Sequence, residues 1–439
     1  MTAPQTSTPF DALVAEFLGA ELPEQLAAAV PLQSLPADAQ GFIRRMLRLM
    51  QRANYPVTEF NVILVQALAM WIPNMLPCAW GGKVPPITNP GRHQKLDAYV
   101  EREAWAEGEK RLFVDLGCGF PPVTTADTAK RFPDWQVLGV DRAFAHSVVT
   151  DAEGNYACFD GDGNFQYFQA MMTPNGRELY ANAASTRRRF QDLYAELNGL
   201  LSQNGGTASE TVAKDNCRLV SNHLKDFERQ NLSFVESEID AMDLPPSDVI
   251  RCMNVLVYVN ADHRQRMIAD ICDRLRDRGL FIHGTNGPGV YGRYAVFEKW
   301  NSTVTPREFA FSLENLRPFG VMPWFTIHDE DPEAMLLADL IGALRADADF
   351  WPVFDRRIDA LLAEKDICRR GDHGYLVFPE NMPPVSDLMV RANAMWQQAI
   401  DEGYRERAVA ALQRAGWKAW VNAAGDIAIQ PVHWRTQRW

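Results

Sequence analysis

Leu112-Phe113-Val114-Asp115-Leu116-Gly117-Cys118-Gly119 joins an apolar run to a Gly-x-Gly turn, with an acid two residues before the first glycine. Twenty-six residues after Asp115, Asp141 closes a second apolar run, Val137-Leu138-Gly139-Val140. Runs of this kind read as buried strands of a parallel sheet, and the glycines let backbone approach a ligand with no Cβ in the way. An acid before the turn and another at the tip of the next strand suit a nucleoside with a charged amino-acid tail. The second acid can accept both ribose hydroxyls, as in dinucleotide folds. The third glycine of a dinucleotide fingerprint would fall at position 122, where Pro122 stands instead. A pyrophosphate needs free amides at a helix start, and Pro121-Pro122 removes two of them. A nucleoside without phosphates loses little by this.

With three further stretches the pattern lengthens. Val140-Asp141, Asp240-Ala241-Met242-Asp243-Leu244-Pro245 and Asp248-Val249-Ile250-Arg251-Cys252-Met253-Asn254-Val255-Leu256-Val257-Tyr258 follow in order. Together with Val114–Gly119 they resemble the class I S-adenosylmethionine-dependent methyltransferases over roughly residues 110–145 and 232–285. The last block is similar to the corresponding stretch of chemotaxis-receptor glutamate methyltransferases, whereas the Asp-Leu-Gly-Cys-Gly turn is less like theirs, so their substrate is not carried over. The resemblance implies an α/β fold: a Rossmann-like, mostly parallel sheet with an N-terminal helical region and large insertions.

At 439 residues the chain exceeds one typical domain. Its 47% hydrophobic and 23% charged residues are those of an ordinary globular protein. The formal charge of −12 argues against a nucleic-acid partner. Arg187-Arg188-Arg189 reads as a solvated helix face. Seven scattered cysteines with no Cys-x-x-Cys pair indicate a reducing compartment and no zinc site. Met1 to Pro9 lacks a secretory pattern. Phe60 to Gly82 is uncharged, but Asn61, Gln66, Pro73, Asn74 and Pro77 interrupt it, so a buried helix and apolar loop are expected rather than a membrane span. A cytoplasmic enzyme acting on a small molecule, away from membranes, is the expectation.

Residues 1–109 form an expected helical cap. Helical faces are carried by Phe10, Leu13, Val14, Phe17 and Leu18, by Phe42, Ile43, Met46, Leu47 and Met50, and by Leu96, Tyr99, Val100 and Ala104. Residues 110–289 form the core, interrupted by an insertion over 146–230. In the core, a capping box at Thr124 and Asp127 starts a helix over Thr125–Arg131. In the insertion, Tyr156–Phe159 and Phe165–Phe168 flank a turn and read as a hairpin, followed by a helix over Ser185–Leu201. The helix Ala261–Arg278, with Asn260 as N-cap and Gly279 as its stop, leads to a strand at Leu280–His283. Glu308–Asp329 and Trp417–Val432 compete to supply a final antiparallel hairpin. The second is preferred, because the helix Arg405–Arg414 runs straight into it. Residues 290–400 are then a second insertion or acceptor-site region, and 401–439 complete the core.

The resemblance implies site residues. Asp115 would orient the methionine ammonium of S-adenosylmethionine, directly or through water, with Gly117, Cys118 and Gly119 giving backbone contact. Asp141 would clamp the ribose. Asp240 and Ala241 fit the adenine edge, with Asp243 as the fallback. Asn254 lies in the expected strand Val249–Val257, near its carboxyl end, where open sheets bind ligands. The acceptor wall would come from Tyr258, His283, Thr285 and Asn286, and His283 or Tyr258 is the candidate base for a hydroxyl acceptor. Arg92 and His93 are candidates to pair with a carboxylate, loop solvation being the plainer role. Other readings are a catalytically silent methyltransferase-like module that binds a protein, a nicotinamide-dependent oxidoreductase, and, more remotely, an aminopropyl transferase.

Overall fold

A computed structural model describes residues 37–56, 59, 86, 88–103, 105, 110–170, 176–201, 208–239, 243–287, 292–318, 322–371, 376–379 and 383–431. The expected helix over residues 10–18, the apolar segment 60–82 and the pair Asp240-Ala241 lie outside them. Among the described residues no helix is long and apolar enough to cross a membrane.

The run Leu112–Leu116 is strand β1, and Gln136–Asp141 is β2. Helix α3, Val123–Arg131, crosses between them, after α1 (Ala37–Arg52) and α2 (Gln94–Glu101). β1 and β2 pair in parallel, Asp115 opposite Gly139. On the other side β1 pairs in parallel with β9, Ser247–Met253, Asp115 opposite Arg251. β8 (Leu232–Glu236) adds to β2, and β10 (Leu275–Asn286) to β9, both in parallel. The parallel order is therefore β8-β2-β1-β9-β10, and strand order reverses at β1. In open α/β sheets a crevice forms at the carboxyl ends of the strands beside such a reversal.

Four antiparallel strands extend the sheet past β10: β11 (Gly292–Trp300), β12 (Thr303–Phe311), β14 (Ile427–Ile429) and β13 (Ala419–Val421). The hairpin at Trp417–Val432 thus joins the main sheet. So does 292–311, at the start of the stretch read as an insertion. With the single connection Gly287–Tyr291 there is too little chain for a helical crossover, so β11 must return antiparallel beside β10.

Residues 147–221 of the expected insertion build a second sheet, ordered β5-β4-β3-β7-β6 from Phe165–Gln169, Tyr156–Phe159, Ser147–Thr150, Cys217–Ser221 and Glu210–Lys214. The β4–β5 hairpin forms as read, its turn closed by the Asp160 carboxylate, which accepts from the Asp162 and Asn164 amides. Helix α5 (Ala183–Asn198), preceded by the short α4 (Gly176–Ala181), covers this sheet with Phe190 and Leu197.

One face of the main sheet carries the larger core. There Val114, Ile250 and Phe281 meet Phe42, Met46 and Met50 of α1 and Met267 and Ile271 of α6 (Ala261–Asp273). Helices α7 (Pro332–Ala346), α8 (Trp351–Glu364), α9 (Val385–Asp401) and α10 (Tyr404–Arg414) pack in the same cluster. The opposite face is covered by α2 and α3, through Leu96, Tyr99, Ala126 and Ala129. Asn260 caps α6 as read, accepting from the His263 amide at 3.0 Å. The helix ends at Asp273, short of Gly279, because the chain from Leu275 already pairs with Ser247.

β10 and β11 approach closely at Gly284. A Cβ there would overlap the Arg293 carbonyl oxygen and lie 2.6 Å from the Tyr294 Cα, both backbone and neither free to yield. Gly284→Ala is expected to cost about 3 kcal/mol, the upper range for overpacking. Chemical denaturation measures this, and a loss within the noise would show that the two strands can part without penalty.

Candidate active site at the strand tips

Past Leu116 the chain turns through Gly117 (φ +66°) and Gly119 (φ +74°), left-handed conformations that strain any residue with a Cβ. A Cβ on Gly117 would overlap Val255, just after β9, and one on Gly119 would lie 2.5 Å from Thr88 Cγ2 and 3.1 Å from the Pro86 oxygen. Pro86 and residues 88–92 therefore form a strap laid over the turn. The Thr88 hydroxyl donates to the Pro121 carbonyl, and the Gly91 amide donates to Asp127 Oδ2 at 3.0 Å. Asp127 is thereby diverted from the capping box. Helix α3 starts without a side-chain cap, after Pro122.

The turn spends its own amides. Gly117 N and Cys118 N donate to the Val140 oxygen at 2.8 and 3.0 Å, Phe120 N to Pro86 at 3.3 Å, and Gly119 N to Asp141 Oδ2 at 2.9 Å. Pro121 and Pro122 have none to give. A pyrophosphate would find no donor there, whereas a sulfonium nucleoside requires none.

Asp115 is held inside the protein. Its carboxylate accepts from Arg251 Nε at 2.9 Å and Nη2 at 2.7 Å, and from the Thr125 hydroxyl at 2.6 Å. Arg251 is completely buried and also donates to Asp97 at 2.7 Å and to the Thr128 hydroxyl at 3.1 Å. Burial pushes the Asp97 carboxyl up to about 6, against the pull of Arg251. The structure thus gives Asp115 an internal ion pair where contact with an ammonium was expected. Sequence reasoning missed Arg251, though a lone charge inside the run Val249–Val257 was the available signal.

Asp141 differs. Half-buried at the end of β2, its carboxylate receives the amides of Gly119, Arg142 and Ala143, and burial raises its pKa. Cys118 is buried and its thiol is pushed well up by burial, next by the nearby Asp141 and Asp115, so it is a turn residue and no nucleophile.

Asn254 follows β9 with φ +61°, its amide bonded to the Gly284 oxygen. It pairs reciprocally with Asn286: Nδ2 donates to Asn286 Oδ1, and its Oδ1 accepts the Asn286 amide, each at 2.9 Å. Arg92 donates from Nε to Asn286 Oδ1 at 3.1 Å and from Nη2 to the Asn286 oxygen at 2.6 Å. Asn286 Nδ2 returns a bond to the Arg92 oxygen at 3.0 Å and meets His93 Nδ1 at 3.2 Å. Loop solvation is thus replaced by a polar clasp across the tips of β9 and β10. Burial lowers Arg92 to about 10, and the electrostatic influences on it include the hydroxyls of Tyr258 and Tyr156.

Both candidate bases are corrected. His283 lies within the core, stacked between Phe281 and Phe297 with ring centroids 5.2 and 5.6 Å away. Burial, reinforced by Arg264, lowers it to about 3, so it is neutral and a very weak base. Burial moves Tyr258 up to about 12, which leaves its phenol protonated, a donor rather than a base. Asp243 is exposed and paired with Arg274 at 2.7 Å, away from any enclosed site.

No protein-family model and no curated protein sequence matches the chain. Similar solved structures include precorrin-6y C5,15-methyltransferase of Geobacter metallireducens: 11% identity, 44% of this chain and 60% of that one, TM-score 0.19. An S-adenosylmethionine-dependent methyltransferase of Clostridium acetobutylicum gives 11%, 50% and 66%, with TM-score 0.20. A family 2 O-methyltransferase of Planctomyces limnophilus gives 12%, 63% and 74%, with TM-score 0.24. The chain spans less than two thirds of the first two proteins. Likeness this slight carries no argument, and the functional reading rests on the strand tips.

Two outcomes test this electrostatic frame. Arg251→Met leaves Asp115 and Asp97 buried without their cation and is expected to cost about 3–5 kcal/mol. A change below about 1 kcal/mol in a denaturant titration would show that the carboxylates are neutral or hydrated in the native protein. The second concerns Glu333, buried beside His283 and ion-paired with Arg264, whose carboxyl is raised to about 7 chiefly by burial. A carboxyl raised on folding gives stability that is complete below its unfolded pKa and is lost as pH rises through the folded value. Glu333→Gln removes that loss, so the melting temperature of the variant minus that of the wild type should climb between about pH 5 and about pH 8. A difference that falls over this range would contradict the assignment.

Proposed function

We propose that this protein is an S-adenosylmethionine-dependent methyltransferase whose acceptor is a small or medium-sized molecule, methylated on oxygen or nitrogen. The observation that carries this reading is the Gly117–Gly119 turn: a bend at the switch point whose amides are all committed, beside the half-buried carboxylate of Asp141. Such a bend can seat a nucleoside but has no donors for a pyrophosphate, which disfavours the nicotinamide reading.

Asp141 would hold the ribose hydroxyls, with Gly117, Cys118 and Gly119 against the amino-acid tail. Asp240 and Ala241 would meet the adenine, and Asn254 would border the tail or the acceptor. Asp115 acts through Arg251 and Thr125, fixing the end of β1 from beneath. The donor, when bound, supplies a methyl carbon already activated by the sulfonium. The chain's residues then have to align the acceptor and exclude water. Neutral His283 and protonated Tyr258 agree with that division of labour, Tyr258 serving as a hydrogen-bond donor at the mouth.

One observation favours a second reading, a module without turnover. Thr88 and the Pro86 oxygen already pack on Gly119, so the strap has to shift if a ligand is to touch that glycine.

Isothermal titration with S-adenosylhomocysteine tests the proposal. Binding by the wild type, weakened about 10-fold or more by Asp141→Asn, is the expected result, from loss of charge-assisted bonds to the ribose. A wild type that does not bind the nucleoside would overturn the proposal.

A further inference from the structure

His283 and Glu333 are buried groups that methyl transfer does not use. His283 stands on β10, and Glu333 lies in the first turn of α7. His283 Nε2 and Glu333 Oε1 are 4.0 Å apart, and among the described residues neither atom has a hydrogen-bond partner. Their neighbours are committed. Arg264 of α6 pairs with Glu333 Oε2, with Asp331 Oδ2 at 3.0 Å, and donates to the Val259 oxygen at 3.2 Å. The other oxygen of Asp331 caps α7, accepting the Ala334 amide at 2.8 Å. We infer that Glu333 and His283 form a proton-operated latch: a proton carried on Glu333 Oε1 is donated in a hydrogen bond to His283 Nε2, tying α7 to β10 and firming the wall that holds Tyr258. The inference goes beyond the methyltransferase reading and does not depend on it.

Each enclosed polar atom left without a partner costs about 1–3 kcal/mol of lost hydration. A movement of about 1 Å brings the two to hydrogen-bond distance, and one proton then satisfies both. Where that proton resides follows from the charges. Those around the pair are Arg264 of α6, Asp331 at the head of α7 and Arg293 of β11. Arg293 directs its donors to the oxygens of Pro323 at 2.6 Å and Phe325 at 3.0 Å, so Arg264 is the cation ion-paired with both carboxylates. Two like charges beside one cation do not both ionise cheaply. Against burial, Arg293, Arg264 and the cap amide hold Asp331 low, whereas Glu333 is raised to about 7, chiefly by burial. Glu333 is therefore the carboxyl that keeps a proton. His283, stacked between Phe281 and Phe297 and lowered by burial and then by Arg264, stays neutral and accepts the bond without taking the proton.

The latch reaches the mouth through the same two arginines. Val259, whose oxygen Arg264 holds, follows Tyr258 in the chain. Phe325, whose oxygen Arg293 holds, sets its ring edge-on to the Tyr258 ring, at 6.1 Å and 72°. With Glu333 closed on His283, the head of α7 is fixed to β10 as well as to Arg264, and both supports of Tyr258 are stiffened. With Glu333 ionised, Arg264 holds that carboxylate without help from β10. The proton comes from solvent. Because the carboxyl is raised on folding, the stabilisation is complete below its unfolded pKa and is lost as pH rises through about 7.

Hydrogen exchange read by mass spectrometry tests the latch on the full chain. Peptides covering residues 255–260 and 322–326 are compared at about pH 6 and about pH 8, after correction for the intrinsic exchange rate. The wild type is expected to be about 10-fold better protected at the lower pH, the effect of one added hydrogen bond. Glu333→Gln can leave its amide oxygen on Arg264 and donate an N–H to Nε2 at any pH, so it should keep the low-pH protection throughout. His283→Phe fills the place of the ring but accepts no bond, so its protection should not vary with pH. Thermal melts confirm folding, and if His283→Phe does not fold, Glu333→Gln decides. Nitrogen NMR of histidine-labelled protein gives a second readout, with His283 neutral and protonated on Nδ1 at the lower pH. Equal protection of the wild type at both pH values, the same pH dependence in Glu333→Gln, or a His283 proton on Nε2 at the lower pH would overturn the inference.

Discussion

A guanidinium with no surface in solvent sets the geometry of this protein. Arg251 rises from the middle of β9, stacks its charge over the Phe113 ring at 5.0 Å, and divides its donors between Asp115 on β1 and Asp97 on α2. Thr125 and Thr128 of α3 supply the remaining polar contacts. Two strands and two helices therefore share one ionic knot, directly beneath the Gly117–Gly119 turn. Desolvating such a cation costs several kcal/mol, and apolar side chains of equal volume would often be as stable. What the knot adds is register: Asp115 meets Arg251 only if β1 and β9 pair as they do. The carboxylate that the sequence invites one to assign to a ligand is thereby used to fix the register of the sheet.

From that fixed point the turn and the strap follow. With β1 anchored, Gly117 packs on Val255 and Gly119 on Thr88, so both glycines are demanded first by the protein's own close packing. The committed amides then select among ligands by what they withhold. A phosphate needs donors the turn cannot release without breaking bonds to Val140 and Asp141. A nucleoside thioether makes no such demand. Over the turn the strap is held by bonds from Thr88, Gly91 and Arg92 and by Gln169.

The sequence made the parallel half of the sheet readable, because its central strands carry short apolar stretches such as Leu112–Val114 and Val137–Val140. Helices α1, α2, α5 and α6 were legible from their apolar spacing, and the β4–β5 hairpin from its Asp160–Asn164 turn. The antiparallel extension was harder. β11 and β12 carry Arg293, Glu298, Lys299, Arg307 and Glu308, so they do not read as an apolar run, and their place in the sheet follows from a connection too short for a helix. Of the candidate residues, the positions along the strands were legible and the contacts were not. Asp141 and Asn254 stand at the strand tips where the pattern put them, whereas Asp115 and His283 face inward. Strand alternation decides direction, and which face is buried depends on helices that the strand sequence does not contain. Arg92 shows the same limit: a residue in a loop before the first strand became part of the mouth only through Asn286, nearly two hundred residues later.

The chemistry open to the mouth is narrow for a physical reason. Burial has removed the proton from His283 and kept it on Tyr258, so neither group offers a base of ordinary strength near neutral pH. A reaction that must deprotonate its substrate in the rate-limiting step would be poorly served. One whose electrophile arrives activated needs instead a rigid floor, a shaped mouth and the exclusion of water. The Arg251 knot supplies the floor, and Asn254, Asn286 and Arg92 stiffen the rim.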